Sequence, residues 1–337
     1  MVGRTFSLCI FFLISCHIQA QEDLNTFVEH LVKDVSQYGE AFVDPAASGL
    51  MFNVSNAWYS SAKTKEWGEI DFSLASNITF VDRSENNFTL NTNDYHNLRF
   101  EDGSSVKKVA SIFGVNNPDV NVLIDYNVGD EQEVIEIRLP QGIDENFRLA
   151  PQVFLQTDIG LPWASEVKLR YSPNIAYGPI ERNMWGVGLQ HEITHWFKTE
   201  SWSLSALIAL NKFKGFFDTK ESGEIQNEEQ GINTQMDILH AALIGSKALG
   251  KFDLYGGVGY FTAQATTHFN GVYEIDRQNE LFQSLVKKFS VENKATNFNF
   301  TAGLKYNLST SLSTRMAASL QQFYAIHLAI SYKINYR

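Results

Sequence analysis

The chain has 337 residues and a formal net charge of −11, from Lys+Arg 27 and Asp+Glu 38. This acidic balance argues against a nucleic-acid partner, which requires a basic surface. Charged residues make up only 19% of the chain and aromatic residues 13%, against roughly 25% charged residues in soluble domains, so two ordinary cytosolic domains are not expected.

Residues 1–20 have the features of a secretory signal peptide. A single basic residue, Arg4, precedes an apolar run over residues 6–14, and Ala20 is a small residue at a cleavage position. The apolar run is too short for a transmembrane helix. We therefore expect export to a Gram-negative envelope with cleavage after Ala20. The alternative is a lipidation signal that leaves Cys16 as the first mature residue.

Residues 21–48 are predicted to contain one amphipathic helix. Apolar side chains recur at intervals of three and four from Leu24 to Tyr38, which predicts a helix of about fifteen residues that ends near Gly39. Two interpretations are open: the helix packs on whatever follows it, or it enters the mouth of a barrel as a plug.

From residue 49 onward the hydrophobic period changes from helical to two. Apolar residues alternate with polar or small ones over 70–80, 153–161, 167–171, 185–189, 202–210, 252–260, 298–306 and 324–336. Such sustained alternation predicts antiparallel strands. About 12–14 strands are expected over residues 49–337.

The last strand indicates a membrane barrel rather than a soluble sandwich. One face of it carries Tyr324, Leu328 and Tyr332, and the other carries small and polar residues such as Ser331. The eight steps from Tyr324 to Tyr332 cover roughly 26 Å along the strand, or about 20 Å of height at a tilt of about 40°. Soluble strands are usually shorter and have a charged outer face. The prediction is therefore an all-β, transmembrane antiparallel β-barrel with a short N-terminal helix, closed because lipid cannot satisfy an open sheet edge.

Two polar stretches between apolar strands are expected to be long loops. Residues 215–231 are acidic, with Glu228 and Glu229 among their charges. Residues 276–294 are also polar, although their apolar residues could form a short amphipathic helix. Both are candidate docking surfaces.

One motif resembles catalytic chemistry. His191, Glu192 and His195 match the H-E-x-x-H pattern, in which two histidines on one helix face bind zinc and the glutamate acts as a base. The motif continues a strand pattern here, and on a strand the two histidines would stand about 13 Å apart. We expect that the protein is not an enzyme and has no catalytic residue, no cofactor-binding residue, no cofactor and no metal. The zinc site remains a minor alternative.

Several short segments resemble a Bacteroidota outer-membrane β-barrel family of unknown function. They are YGEAFVDP (38–45), NAWYSSAK (56–63), GEIDF (68–72), IGLP (159–162), EVKLRY (166–171), WGVGLQHEI (185–193) and LYGGVGY (254–260). The resemblance implies a barrel and places residues 191–193 in a short turn or helix between strands. An N-terminal segment that leads into a barrel is also distantly similar to long-chain fatty-acid transporters, in which such a segment plugs the lumen.

These patterns support three functional hypotheses. The first is an outer-membrane barrel that takes up or binds small hydrophobic molecules, with outer-membrane lipid around it and the barrel-assembly machinery as its partner during insertion. The second is a structural or assembly component of the envelope. The third, least favoured, is a zinc hydrolase that uses His191, Glu192 and His195.

Overall fold

The described residues form one long helix and fifteen strands. The computed structural model describes residues 3–128, 131–142, 149–177, 180–197, 202–218, 231–270 and 288–335. The bounds are α1 Gly3–Ser55, β1 Glu69–Phe80, β2 Asn87–Asn91, β3 Leu98–Phe100, β4 Val106–Ala110, β5 Asn121–Val128, β6 Glu131–Arg138, β7 Leu149–Leu161, β8 Ser165–Tyr177, β9 Ile180–Glu192, β10 Ser203–Asp218, β11 Gly231–Leu249, β12 Phe252–Asn270, β13 Lys288–Asn307, β14 Leu312–Leu320 and β15 Tyr324–Asn335. Short 3-10 helices lie at Arg83–Asn86, Thr92–Asp94 and Ile193–Phe197.

Ten of the strands form a closed antiparallel barrel, so the predicted fold class is confirmed. Around the barrel the order is β1-β15-β14-β13-β12-β11-β10-β9-β8-β7, and β7 pairs with β1 to close it. The predicted number of about 12–14 strands is wrong for the barrel. The five strands β2–β6 have three to eight residues and form two small separate sheets, β2-β4 and β3-β5-β6, because none of them is long enough to join a wall of this height.

The alternation along the barrel strands divides the side chains between an outer and an inner face. On β15, Tyr324, Leu328 and Tyr332 are exposed on the outside, whereas Ala325 and His327 are buried inside. Exposed apolar side chains recur on the outer faces of the ten strands, among them Phe72, Leu74, Leu155, Leu169, Val187, Leu189, Ile208, Leu210, Leu243, Leu254, Val258, Phe300, Met316, Leu328 and Ile330. The barrel is therefore surrounded by a continuous apolar band.

The apolar band ends part of the way along the longest strands of the wall. The strands β11, β12 and β13 have 19 to 20 residues, and their outer faces change from apolar to polar along their length. On β12 the change falls between Tyr260 and Gln264, and on β13 between Phe298 and Lys294. The polar ends of these strands therefore extend beyond the band.

The two mouths of the barrel differ. One mouth, here called the turn end, is where β1 begins, and the short connections 162–164, 250–251 and 308–311 lie there. The opposite mouth, the helix end, is where α1 and the two small sheets lie. The strand ends that flank the two predicted loops lie at the helix end. Residues 219–230 and 271–287 lie outside the described part of the chain. The loop prediction is wrong for residues 215–218, which belong to β10, for residue 231, which begins β11, and for residues 288–294, which belong to β13, because the strands of the wall extend beyond the apolar band.

The helix α1 is longer than the sequence suggested. The predicted end near Gly39 is wrong, since the helix continues to Ser55 and includes Pro45. Packing before and after Gly39 and Pro45 holds the helix together at these two residues, which disfavour helix. Leu31 and Tyr38 contact the small sheets, and Met51 is fully buried in the barrel. In the described residues, no helix is both long and apolar enough to cross a membrane.

Polar contacts also fix α1 to the small sheets outside the barrel. The carboxylate of Asp34 accepts hydrogen bonds from the backbone N–H of His96 at 3.0 Å and pairs with His96 Nδ1 at 2.8 Å. The neighbouring Tyr95 phenol is half-buried. Burial, together with the carboxylates of Asp34 and Asp94, raises the pKa of Tyr95 to about 12.

Candidate functional site

The lumen of the barrel is filled by the chain itself. Residues 43–66, here called the plug, comprise the last turns of α1 and the extended segment that follows, and they run from the helix end to the turn end. Met51, Asn53, Ser55 and Trp58 in the plug have between 0% and 1% of their surface exposed. The plug therefore fills the middle of the barrel.

The wall at the helix end of the lumen is apolar. We call this region the vestibule, and it is lined by Phe154, Met184, Phe213, Met236, Ile238, Phe261, Ala263, Ala265 and Phe269. The end of α1 occupies it with Val43, Ala47, Met51 and Phe52. The Phe52 ring packs edge-to-face on Phe261 with centroids 5.0 Å apart, and on Phe323 at 5.4 Å.

The middle of the lumen is narrow and built from small residues. Gly186 and Gly188 on β9 face Trp58, and a Cβ atom at either position would lie 3.0 to 3.2 Å from the indole ring. At Gly257 on β12 a Cβ atom would lie 2.5 Å from the Tyr59 hydroxyl. The glycines therefore make room for the two aromatic side chains of the plug, which is one of the roles that glycine takes in strands.

Arg170 connects the plug to the wall. Its guanidinium lies between the rings of Trp58 and Phe154, at 3.9 and 4.1 Å from their centroids. It donates hydrogen bonds to the carbonyl oxygens of Val54 at 3.3 Å and Asn56 at 3.0 Å. The carbonyls at the end of a helix lack partners within the helix, so Arg170 both stacks on the plug and caps the end of α1.

Wall side chains hydrogen bond to the end of α1 and to the extended segment of the plug, which pairs with no strand among the described residues. Buried backbone groups must be satisfied, and here amide, hydroxyl and carboxylate groups of the barrel do this. The bonds are Asn77 Nδ2 to the Asn53 oxygen (3.1 Å), Gln156 Nε2 to the Trp58 oxygen (3.3 Å), Gln190 Nε2 to the Ser61 oxygen (2.9 Å), the Ala62 N–H to Ser246 Oγ (2.9 Å), the Thr64 N–H to Glu192 Oε2 (3.1 Å) and the Lys65 N–H to Glu166 Oε2 (2.9 Å).

The lumen at the turn end is charged. Lys65 of the plug pairs with Asp71 on β1 at 2.8 Å. On the wall, Lys168 pairs with Asp158 at 3.2 Å and also with Glu166. All of these side chains are almost completely buried, and breaking one partner of such a pair leaves an uncompensated charge. The apolar vestibule and the charged turn end thus differ sharply in the solutes they could hold.

The H-E-x-x-H residues lie at the turn end of β9. His191 and Glu192 end the strand, and His195 lies in the following 3-10 helix. The family resemblance placed residues 191–193 in a turn or helix, and this is wrong for His191 and Glu192, because the strand pairing continues to Glu192. The His191 ring bonds to Ser165 Oγ at 2.9 Å and accepts from Trp196 Nε1 at 3.1 Å, while Glu192 holds the plug. Among the residues with described side chains, no group of three or more metal-ligating residues has metal-binding geometry.

Sequence reasoning missed most residues of the lumen. Residues 56–66 show no hydrophobic period that marks them as a plug, and Arg170 and Gln190 are isolated polar residues in strand patterns. The glycine pairs in the 185–189 and 254–260 segments were the available signal. Lumen-facing glycines on two strands predict that something large packs against them.

Together these features define a class of protein, a ten-stranded antiparallel β-barrel with an apolar outer band and an internal plug. The chain belongs to a family of unknown function (DUF6588), whose model matches residues 2–334.

Several solved structures with low sequence identity resemble the chain. The COG4313 outer membrane channel from Pseudomonas putida F1 has 10% identity and a TM-score of 0.39, with 83% of this chain and 100% of that one covered. The translocator domain of the autotransporter NalP from Neisseria meningitidis has 8% identity and a TM-score of 0.33, covering 90% and 99%. The attachment invasion locus protein Ail of Yersinia pestis has 8% identity and a TM-score of 0.27, covering 80% and 99%. No curated protein matches the sequence.

Proposed function

We propose that the protein is an outer-membrane β-barrel that binds or takes up small hydrophobic molecules, and that its plug closes it at rest. The apolar outer band supports the location. On β12 it runs from Phe252 to Tyr260, which corresponds to about 20 Å of height at the tilt usual for membrane barrels, close to the roughly 25 Å band of such proteins. An apolar surface of this extent would not be stable in water.

The observation that carries the ligand class is the apolar vestibule. Its wall of Met and Phe side chains is covered by the end of α1. If α1 moves out, the same wall becomes an apolar chamber at the helix end, and ligand sites of this kind are lined mainly by apolar and aromatic groups. The charged turn end would oppose further passage of an apolar molecule, so the vestibule is the expected binding site.

Export and insertion are part of the proposal. It includes a signal peptide over residues 1–20, with Cys16 lipidation as the alternative to cleavage after Ala20. It also includes insertion by the barrel-assembly machinery, a Bacteroidota origin and the distant relationship to long-chain fatty-acid transporters. Recovery of the mature chain in the outer-membrane fraction, with heat-modifiable migration on a gel, supports the location. Recovery as a soluble periplasmic protein would overturn it.

The ligand hypothesis can be tested by loosening the helix. Ala47→Asp puts a carboxylate on the helix face buried in the vestibule, where Ala47 is 4% exposed, and Val32→Asp makes the same change at a position that is 43% exposed. We expect A47D to bind the apolar probe N-phenylnaphthylamine, seen as increased fluorescence, and V32D to behave like the unaltered protein. Adding Met236→Asp to A47D should abolish the increase. Equal fluorescence in all four proteins would contradict a ligand site in the vestibule.

A second candidate function is a structural or assembly component of the envelope. The hydrogen bonds that hold the plug from Asn53 to Lys65 favour it, because a permanently closed barrel does not transport. It predicts co-purification with a fixed partner and no conductance even when the plug is weakened.

A further inference from the structure

Two cations in the lumen, Arg315 and Lys305, form no ion pair with a carboxylate of the described residues. Arg315 on β14 is 4% exposed, and both terminal nitrogens of its guanidinium are buried without a hydrogen-bond acceptor among the described residues. Lys305 on β13 is half-buried and forms no ion pair within the described part of the chain. Burying a charged donor without an acceptor is costly.

The two cations also stand directly opposite each other. Lys305 and Arg315 are register partners across the β13–β14 pair, and both face the lumen. Side chains in this relation have Cβ atoms about 4.5–5.5 Å apart, and like charges there destabilise a sheet. Two like charges in this position are expected where a ligand of opposite charge binds between the two groups.

The nearby carboxylates have other partners. Asp71 pairs with Lys65 at 2.8 Å, and Asp158 pairs with Lys168 at 3.2 Å. Asp253, at the mouth, accepts a hydrogen bond from Asn307 at 3.2 Å. The second oxygen of Asp71 is buried without a hydrogen-bond partner, and Asp71 and Asp253 act on Lys305 only at longer range, as Asp158 does on Arg315. No carboxylate in the described part of the chain forms an ion pair with either cation.

We propose that Arg315 and Lys305 form a binding site for the oxyanion group of a small solute, a phosphate or a carboxylate, at the turn end of the lumen. The guanidinium supplies two parallel donors that match an oxyanion, and the ammonium supplies a second charge. Lys305 and Asp253 are half-buried, and the site lies at the turn end of the lumen, opposite the vestibule. It therefore does not depend on the hydrophobic ligand proposed for the vestibule.

Thermal unfolding of the full chain in detergent micelles tests the site, with inorganic phosphate as the probe and chloride at matched ionic strength as the reference. A ligand that binds only the folded state raises the unfolding temperature with its concentration. We expect a larger rise in phosphate than in chloride. Arg315→Gln and Lys305→Gln should each weaken phosphate binding by about tenfold or more, the usual effect of losing a charged hydrogen bond.

The matched control is Lys333→Gln, another lumen lysine at the turn end, which is paired with Glu69 at 3.2 Å. K333Q should keep the phosphate response. Heat-modifiable migration shows which variants fold. If R315Q does not fold, K305Q decides the outcome, because Lys305 is only half-buried. An equal response to phosphate and chloride, or an unchanged phosphate response in K305Q, would overturn the proposal. A repeat with acetate distinguishes a carboxylate ligand from a phosphate. N-phenylnaphthylamine binding tests the vestibule separately, so failure of the oxyanion site leaves the proposed function untouched.

Discussion

Truncation of Trp58 provides the most direct test of the plug. The side chain is completely buried, packs against Leu207 and Ala209, and lies 3.9 Å from the Arg170 guanidinium. Replacing a buried Trp by Ala costs about 3–5 kcal/mol. The substitution lowers the free energy of plug undocking and leaves the stability of the barrel unchanged, because the hydrogen bonds between strands do not involve Trp58.

A loss of about 4 kcal/mol multiplies the population with an undocked plug by about 10³, since each 1.4 kcal/mol is tenfold. We expect W58A to fold, to show the same heat-modifiable migration as the unaltered protein, and to open more often in single-channel recordings in planar bilayers. Trp185→Ala is the matched control, because Trp185 is half-exposed on the outer face. A folded W58A that stays closed as completely as W185A would refute the plug as the element that closes the barrel.

Three further changes test the lumen, the outer band and the extramembrane contact. Gly257→Val places a side chain against the Tyr59 hydroxyl and should weaken plug docking by about 1–3 kcal/mol, seen as increased conductance. Leu328→Lys, in the apolar band, should lower the free energy of unfolding in lipid by about 2–4 kcal/mol, measured by denaturant titration. Because the pKa of Tyr95 is raised to about 12, the folded state holds a proton that the unfolded chain loses near pH 10. Docking of α1 should therefore weaken as pH rises from about 10 to about 12, and Tyr95→Phe should remove that component from an ultraviolet difference titration.

Each of these changes has an outcome that contradicts the reasoning. Gly245→Val, where no other atom lies within 4 Å of an added Cβ, should leave conductance unchanged, and equal effects at Gly245 and Gly257 would argue against a steric role. Thr296→Lys, on the polar part of the outer face of β13, should be neutral in lipid. A cost equal to that of L328K would place the membrane elsewhere. A difference titration without a component near pH 12 would show that Tyr95 is solvated.

The barrel itself was predictable from local pattern. Alternation with period two assigns each side chain to one face, and the assignment of Tyr324, Leu328 and Tyr332 to the outside is confirmed because every second residue of a strand must share a face. The number of strands was not predictable, since the short strands of β2–β6 have the same period as the wall. Only their length and their pairing exclude them from the barrel.

The sequence by itself determined an antiparallel barrel with an apolar exterior, because that information lies in the order of neighbouring residues. Only the tertiary structure decided what fills the barrel. Trp58 and Gly188 are separated by 130 positions in the chain, and nothing local relates an indole to the glycine that makes room for it. The same holds for Lys305 and Arg315, whose register across two strands places two positive charges on one face. Contacts between distant segments depend on the closure of the barrel, and the side chains on which both proposed binding sites depend meet only in its lumen.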